Sequence, residues 1–167
     1  MQKSMRVRYW VAFWASIVLA LVFITAGVGK LMGHGAFLLT VSTYILGFEV
    51  SNFITTWLPW LELVLGLCLL VGIIPQIAGG ISVLLIAAFI MHNGWMIAHG
   101  FGYEPCHCLG VFDQIFGSGL STIDSLYVDI GLIILALAVY FSYPGRLGNV
   151  RPWFLRWREI VERPSES

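Results

Sequence analysis

The chain has 167 residues, of which 59% are hydrophobic and only 11% are charged, and its mean hydropathy is +0.87. A water-soluble domain needs a polar shell, and about a quarter of its residues are usually charged, so this composition excludes a soluble globular domain and indicates a surface that mostly faces lipid. The formal net charge is zero, and the nine Lys and Arg residues form no basic groove with interleaved aromatic residues, so nothing indicates nucleic-acid binding.

Four segments are long and apolar enough to cross a bilayer as helices, which takes roughly 20 residues each. The segments that meet this requirement are residues 9–32, 55–74, 77–98 and 125–143. Only Pro75 and Gln76 separate the second segment from the third, which predicts a tight antiparallel hairpin. The sequence therefore predicts an all-α, integral membrane four-helix bundle, and we assign residues 1–145 to this membrane domain.

The first segment follows three basic residues and could instead be a signal peptide. The apolar part of a signal peptide spans about 7–15 residues and ends at a small-residue cleavage site. Here the apolar run is longer and continues into Gly29-Lys30-Leu31-Met32. We therefore expect this segment to remain in the protein as the first span.

Basic residues in short loops mark the cytoplasmic side of a membrane protein. Apart from Lys30, every Lys and Arg lies before the first span or after the last: Lys3, Arg6, Arg8, Arg146, Arg151, Arg156, Arg158 and Arg163. The two loops on the other side contain acidic residues but no Lys or Arg. An even number of spans puts both termini on one face, so we predict a multi-pass protein of the cell (inner) membrane with both termini in the cytoplasm.

Two further segments are expected to lie on the membrane rather than across it. Residues 36–48 are apolar, but a 13-residue helix is only about 20 Å long, so we predict a half-helix on the outer side. In the tail, residues 146–167, a helix would place Trp153, Trp157 and Ile160 on one face. That pattern predicts an amphipathic helix on the cytoplasmic surface.

All four predicted spans carry polar residues in the same, outer half of the membrane. These residues are Lys30, Glu62, His92, Asn93, His99, Asp124 and Asp129. Ionisable side chains within a bilayer normally face the bundle interior and have a partner. We expect Lys30 to pair with Glu62, and Asp129 to pair with His92 or His99. The residues alone leave two interpretations open: the pairs only hold the helices together, or they line a polar cavity that binds a ligand.

The outer loop between the third and fourth spans contains Cys106 and Cys108, with His107 between them. A disulfide across so short a loop would add little stability, and strained, exposed disulfides tend to be labile or catalytic. The pair therefore favours redox chemistry, and His107 could favour the reactive thiolate. The alternatives are an inert disulfide, cysteines that each pair with a partner protein, or a soft-metal site for copper(I) or zinc formed by the pair and His107 with His99 near. Cys-His-Cys alone supplies too few ligands for us to predict a metal. Cys68, within the second span, is expected to be a small packing residue.

Three motifs occur in order along the chain: Phe23-x-x-Ala26-Gly27-x-x-Lys30-Leu31, Leu58-Pro59-Trp60-Leu61-Glu62-Leu63-x-x-Gly66-Leu67 and Cys106-x-Cys108-x-Gly110. Together they resemble the DoxX/MauE group of small four-helix membrane proteins over about residues 23–143. The cysteine loop makes the MauE proteins the nearer match.

The resemblance implies redox work at the membrane. MauE-like proteins are associated with disulfide formation in exported proteins, often beside a thioredoxin-like partner, and DoxX and DoxD relatives are linked to a thiosulfate:quinone oxidoreductase. By position, Lys30, Glu62, Cys106 and Cys108 match the group's motif residues. Relatives usually read Cys-Gly-Cys-Phe-Gly in the loop, whereas this chain has His107 and Leu109.

We therefore favour a membrane thiol–disulfide redox protein with Cys106 and Cys108 as its catalytic pair. They would exchange electrons with an exported thioredoxin-like partner or a small sulfur compound, and with a quinone bound near a polar site. The residues expected at that cofactor site are Lys30, Glu62, His92 and Asp129. The competing hypothesis is a non-catalytic accessory or assembly subunit of a larger respiratory or photosynthetic membrane complex.

Overall fold

The computed structural model describes residues 2–33, 48–103 and 121–142, with side chains from Trp10 and from Ser51 onward in the first two ranges. These residues form four α-helices: α1 (Gln2–Met32), α2 (Phe48–Val71), α3 (Pro75–Ala98) and α4 (Thr122–Ser142). Each helix contains a segment that is long and apolar enough to cross a membrane. The segments are Trp10–Met32, Ser51–Val71, Pro75–Ala98 and Thr122–Ser142. The prediction of four spanning helices is thereby confirmed.

Some predicted features lie outside the described residues. They are the half-helix over residues 36–48 (except Phe48, which begins α2), the tail helix within residues 146–167, and the loop with Cys106 and Cys108. The division into two domains and the cytoplasmic position of both termini also stay predictions.

The tight connection between α2 and α3 lies earlier in the chain than predicted. Gly72 follows the end of α2 with a φ of 74°, and its N–H donates to the carbonyl of Cys68 at 2.9 Å. A left-handed glycine is a common way to end a helix. Ile74 also has a positive φ, 52°, and Pro75 begins α3, where its missing N–H is not needed. Gly72 and Pro75 therefore decide the helix ends, and the predicted ends on either side of this link are wrong.

The outer bounds of α2 and α4 also differ from the predictions. α2 begins at Phe48 rather than near residue 55, and α4 runs over Thr122–Ser142 rather than 125–143. Both helices begin before their most apolar stretch, because small polar residues such as Ser51 and Thr122 are helical and buried. Hydropathy by itself does not detect such turns.

The helices pack as two antiparallel pairs that share an interface. α1 packs extensively against α2, α3 packs extensively against α4, and α1 also packs against α4, whereas α2 and α3 contact each other less. A hydrogen bond shows the antiparallel direction within the first pair. The hydroxyl of Ser16, near the start of the α1 span, donates to the carbonyl of Leu69, near the end of α2, at 2.8 Å. In the second pair, Gly79 near the start of α3 lies beside Tyr140 near the end of α4.

Glycine allows α1 and α2 to approach closely at two points. A Cβ on Gly27 would lie 2.9 Å from the carbonyl oxygen of Pro59, and a Cβ on Gly66 would lie 2.7 Å from Cγ1 of Ile24. Small residues at helix contacts are typical of membrane bundles, in which close packing replaces the hydrophobic driving force. This close approach holds Lys30 on α1 near Glu62 on α2.

The bundle has an apolar part and a polar part. We call the end where α1 and α3 finish and α2 and α4 begin the loop end, and the opposite end the hairpin end. The apolar core fills the middle and the hairpin end: Ala15, Leu19, Ala20, Phe23, Leu65, Leu69, Ala78, Ile86, Leu132, Ala136 and Val139. Cys68 packs against this core, as predicted. Lys30, Glu62 and Asp129, which are buried ionisable residues, lie in the half toward the loop end.

Candidate functional site

The predicted pair of Lys30 and Glu62 is confirmed. Lys30 lies in the last turns of α1, and its ammonium group donates to Glu62 Oε1 on α2 in a buried ion pair. Lys30 is 1% exposed and Glu62 is fully buried. Side chains on a helix tilt toward its N-terminus. Lys30 therefore points from the loop end toward the hairpin end, whereas Glu62 on the antiparallel α2 points toward the loop end, and the two side chains meet between them.

Lys30 also contacts α3. Its Nζ lies 4.7 Å from the centre of the Phe89 ring, a distance at which a cation is attracted to an aromatic face. The sequence analysis missed Phe89. The signal that could have found it is its spacing, because Phe89 lies one helical turn before Asn93 and so shares a face with that buried amide.

Asp129 pairs with Asn93 rather than with a histidine. Asn93 Nδ2 donates to Asp129 Oδ2 at 2.8 Å, and the two residues are 0% and 5% exposed, respectively. The prediction that Asp129 pairs with His92 or His99 is therefore wrong. The reason is helix rotation: His92 is turned about 100° away from its neighbour Asn93, and it is only half-buried.

His99 lies at the exposed end of α3. Its ring stacks on that of Trp95, with the centres 4.1 Å apart, and its Nδ1 lies 2.9 Å from the Trp95 carbonyl oxygen. Both contacts are within its own helix. His99 is thus a helix-end residue rather than a member of the buried site.

The two buried pairs belong to one group of side chains. Lys30 interacts electrostatically with Asp129 as well as with Glu62, so all four helices contribute to it. We call Lys30, Glu62, Asn93, Ser125 and Asp129 the polar cluster.

Two oxygen atoms of the polar cluster are buried without a hydrogen-bond partner among the described residues: Glu62 Oε2 and Ser125 Oγ. Ser125 lies one helical turn before Asp129 on α4, so both side chains are on the same face. Buried polar atoms nearly always have partners, and leaving one unsatisfied costs about 1–3 kcal/mol. These two atoms are therefore the places where the site can accept a hydrogen bond from a bound group.

Buried small polar residues extend from the polar cluster toward the loop end. Ser51 and Thr55 precede Glu62 on α2, and Thr122 precedes Ser125 on α4. Thr55 Oγ1 donates to the Ser51 carbonyl at 2.9 Å. Pro59 has no N–H and so cannot donate to the carbonyl of Thr55 one turn earlier. The cluster is therefore continued by polar groups on two helices, which the sequence analysis did not identify.

The loop that contains Cys106 and Cys108 leaves the bundle and returns to it at the same place. The N–H of Ile123 donates to the carbonyl of Gly102 at 3.2 Å, which ties the two ends of the loop together. At the return, Ser121 Oγ accepts from the N–H of Asp124 at 3.2 Å and donates to its carboxylate at 2.7 Å. Ser121 thus caps the start of α4. Asp124, which was predicted among the polar residues of the membrane half, is an exposed residue of the first turn.

Metal binding has no support in the described ranges, since residues 2–33, 48–103 and 121–142 contain no group of three His, Cys, Asp or Glu residues that could hold an ion. The soft-metal alternative at Cys106, His107 and Cys108 concerns residues outside these ranges.

The chain matches the sequence model of a known protein family. The sequence model of the family described as methylamine utilisation protein MauE matches residues 8–142, whereas neither a curated protein nor a solved structure matches the chain. The matched region contains all four spans, the polar cluster and the cysteine loop. The MauE part of the resemblance is thereby confirmed, while the link to DoxX proteins stays a prediction. This chain belongs to the family of the methylamine utilisation protein MauE.

Proposed function

We propose that this protein is a membrane thiol–disulfide redox protein in which Cys106 and Cys108 are the reactive pair. The observation that carries the proposal is the buried polar cluster at the loop end, below the point where the cysteine loop is tied to the bundle. Cys106 follows Tyr103, the last described residue before the loop, by three positions in the sequence. A redox-capable dithiol and a polar site within the membrane are thus joined by a short piece of chain.

A purely structural role explains the polar cluster less well. An ion pair that only holds helices together gains stability when its remaining polar atoms are satisfied, since a partly satisfied buried network costs more than an apolar core. Glu62 Oε2 and Ser125 Oγ have no partner among the described residues. This favours a site that receives a polar group from a ligand.

The ligand chemistry that fits this site is that of a quinone. Forming a disulfide between Cys106 and Cys108 releases two electrons and two protons. A quinone accepts two electrons and two protons when it is reduced to a quinol. In the polar cluster, Lys30 is a donor for a carbonyl oxygen, and Glu62 Oε2 and Ser125 Oγ are acceptors for a hydroxyl group. We therefore propose Lys30, Glu62 and Asp129 as the quinone site. His92, which is half-buried on α3, stays a candidate from the sequence only.

The partner on the other side of the reaction is an exported dithiol protein. One of its thiolates would attack the Cys106–Cys108 disulfide, form a mixed disulfide and then close its own disulfide. The partner leaves oxidised and the loop returns to the dithiol state, which the quinone site reoxidises. From the family's name we propose that this partner takes part in methylamine utilisation.

The decisive experiment measures both half-reactions on purified protein in detergent. Reduced protein is mixed with a short-chain quinone, and quinol formation is followed together with the loss of free thiols. We expect quinol formation with the unaltered chain and background rates with Cys106→Ser and Cys108→Ser. Cys68→Ser is the matched control, because Cys68 packs against the apolar core. Equal quinol formation by Cys106→Ser would refute the proposal.

The side of the membrane on which the loop lies is tested separately. A membrane-impermeant alkylating reagent is applied to intact cells, with and without prior reduction. We expect the peptide with Cys106 and Cys108 to be modified only after reduction, because the pair rests as a disulfide on the outer side. Modification only after the cells are opened would place the loop in the cytoplasm and contradict the proposed topology.

The accessory-subunit hypothesis is favoured by one observation. Five large apolar residues at helical spacing form an exposed stripe along α2: Phe53, Trp57, Trp60, Val64 and Leu67. Such a stripe suits either lipid or a neighbouring membrane subunit. Stable co-purification with other subunits, together with absent quinol formation, would favour the accessory role over the redox role.

A further inference from the structure

Among the described residues, the charges buried in the bundle do not balance when each group is ionised. Lys30 is a single base, whereas Glu62 and Asp129 are two acids, and all three are at least 95% buried. The sequence has no other Lys or Arg between residues 9 and 145. With both carboxylates ionised, the interior would hold one uncompensated negative charge, which a low-dielectric environment strongly disfavours.

The contacts decide which carboxyl group has to be neutral. Glu62 has the ammonium group of Lys30 as its hydrogen-bonded partner. Asp129 has the neutral amide of Asn93, which donates a hydrogen bond but no charge. Lys30 acts on Asp129 only through space. The excess proton therefore belongs on Asp129.

The other titratable groups near Asp129 do not change this count. On α3, His92 is half-buried and turned away from the face that carries Asn93; on α4 itself, Asp124 and Tyr127 are exposed. From α1 and α2, the groups that face the cluster are Lys30 and Glu62.

We propose that Asp129 is a proton-binding site within the membrane. Ser125 and Thr122, which precede Asp129 on α4 toward the loop end, are buried as well, so the carboxyl group lies in the interior of the bundle. Among the described residues Ser125 Oγ has no hydrogen-bond partner, so the hydrogen bond from Asn93 is the contact that positions Asp129.

A proton fits this site better than a metal cation does. A hard cation takes about six oxygen ligands, whereas the described residues contain no group of three His, Cys, Asp or Glu residues that could hold an ion. The ammonium group of Lys30, which is paired with Glu62, also repels a second cation. The inference goes beyond the redox proposal and does not depend on it, since it rests on the charge count and on the contacts of Asp129.

The test is infrared spectroscopy of the purified full chain in lipid vesicles at neutral pH. We expect a carboxylic-acid C=O band that shifts in D₂O, disappears in Asp129→Asn and persists in Asp124→Asn, the exposed aspartate of the same helix. Absence of the band in the unaltered chain, or its persistence in Asp129→Asn, would overturn the assignment.

A second measurement needs no variant and so does not depend on the folding of Asp129→Asn. Dicyclohexylcarbodiimide modifies protonated carboxyl groups in membranes, and mass spectrometry locates the modified residue. We expect modification of Asp129 in the unaltered chain, with no protection by sodium ions. Modification of Glu62 instead, or protection by sodium, would refute the proton assignment. Neither measurement uses a thiol or a quinone, so failure of the redox proposal leaves both results interpretable.

Discussion

Replacing Lys30 by Met tests the energetic role of the buried ion pair. The change keeps the length of the side chain but removes its charge, so Glu62 loses its partner while it stays fully buried. Removing one partner of a buried ion pair lowers the free energy of unfolding by about 3–5 kcal/mol, whereas an exposed pair contributes about 0–1 kcal/mol to it. Because Lys30 is 1% exposed and Glu62 is 0% exposed, solvent does not screen this pair. We expect a loss of about 3–5 kcal/mol in the free energy of unfolding.

The double variant Lys30→Met with Glu62→Met separates a buried unpaired charge from a loss of packing. Replacing both partners of a buried pair by apolar residues of similar size is often neutral or stabilising. We therefore expect the double variant to recover most of the stability that Lys30→Met loses. This outcome would correspond to a coupling free energy between Lys30 and Glu62 of at least about 2 kcal/mol.

The assay is reversible unfolding in mixed detergent micelles, followed by circular dichroism. Leu84→Met is the control, because Leu84 is 73% exposed and such a change should stay within about 0.5 kcal/mol. The reasoning fails if Lys30→Met costs less than about 1 kcal/mol, the value typical of a solvated pair. It also fails if the double variant loses the sum of the two single losses, since the residues would then not be coupled.

Three further predictions use the same assay. Gly66→Ala should lower the free energy of unfolding by about 1–3 kcal/mol through overpacking, because the new Cβ would lie 2.7 Å from a side-chain atom of α1. The control Gly131→Ala, whose Cβ has open space, should raise it by up to about 1 kcal/mol. Equal effects of the two changes would contradict the close approach of α1 and α2. Asn93→Ala should cost about 1–3 kcal/mol, because it leaves Asp129 without its donor; a neutral result would show that this bond is not formed. Ile74→Gly should stabilise the protein by about 1 kcal/mol, because it relieves a positive φ of 52°, and a clear loss of stability would refute that backbone conformation.

The sequence by itself determined the spans and one of the buried pairs. Crossing a bilayer requires a run of apolar residues of a certain length, and this requirement is local, so four helices could be predicted without any knowledge of their packing. Lys30 is the only Lys or Arg within the predicted spans, and Glu62 and Asp129 are the only acidic residues within them. Lys30 therefore had two acidic residues as possible partners. The pair with Glu62 followed from that scarcity.

The helix ends and the second pair could not be predicted in the same way. Ile73 and Ile74 are apolar, so hydropathy extends the second span to Ile74, whereas the left-handed conformation of Gly72 ends α2 at Val71. Asp129 had three polar candidates on or next to α3, His92, Asn93 and His99, which lie within about two helical turns of each other. Which one it contacts depends on the rotation of α3 about its own axis, and Asn93 rather than His92 faces α4.

Only the tertiary structure decided that the two pairs form one cluster, with two oxygens that have no hydrogen-bond partner among the described residues. The position of Phe89 against Lys30 and the burial of Ser125 arise from side chains on helices that are distant in sequence. The sequence fixes how many charges enter the membrane, because composition is a property of the chain alone. Which of them meet, and which oxygen is left without a donor, depends on how closely and at what rotation the four helices pack.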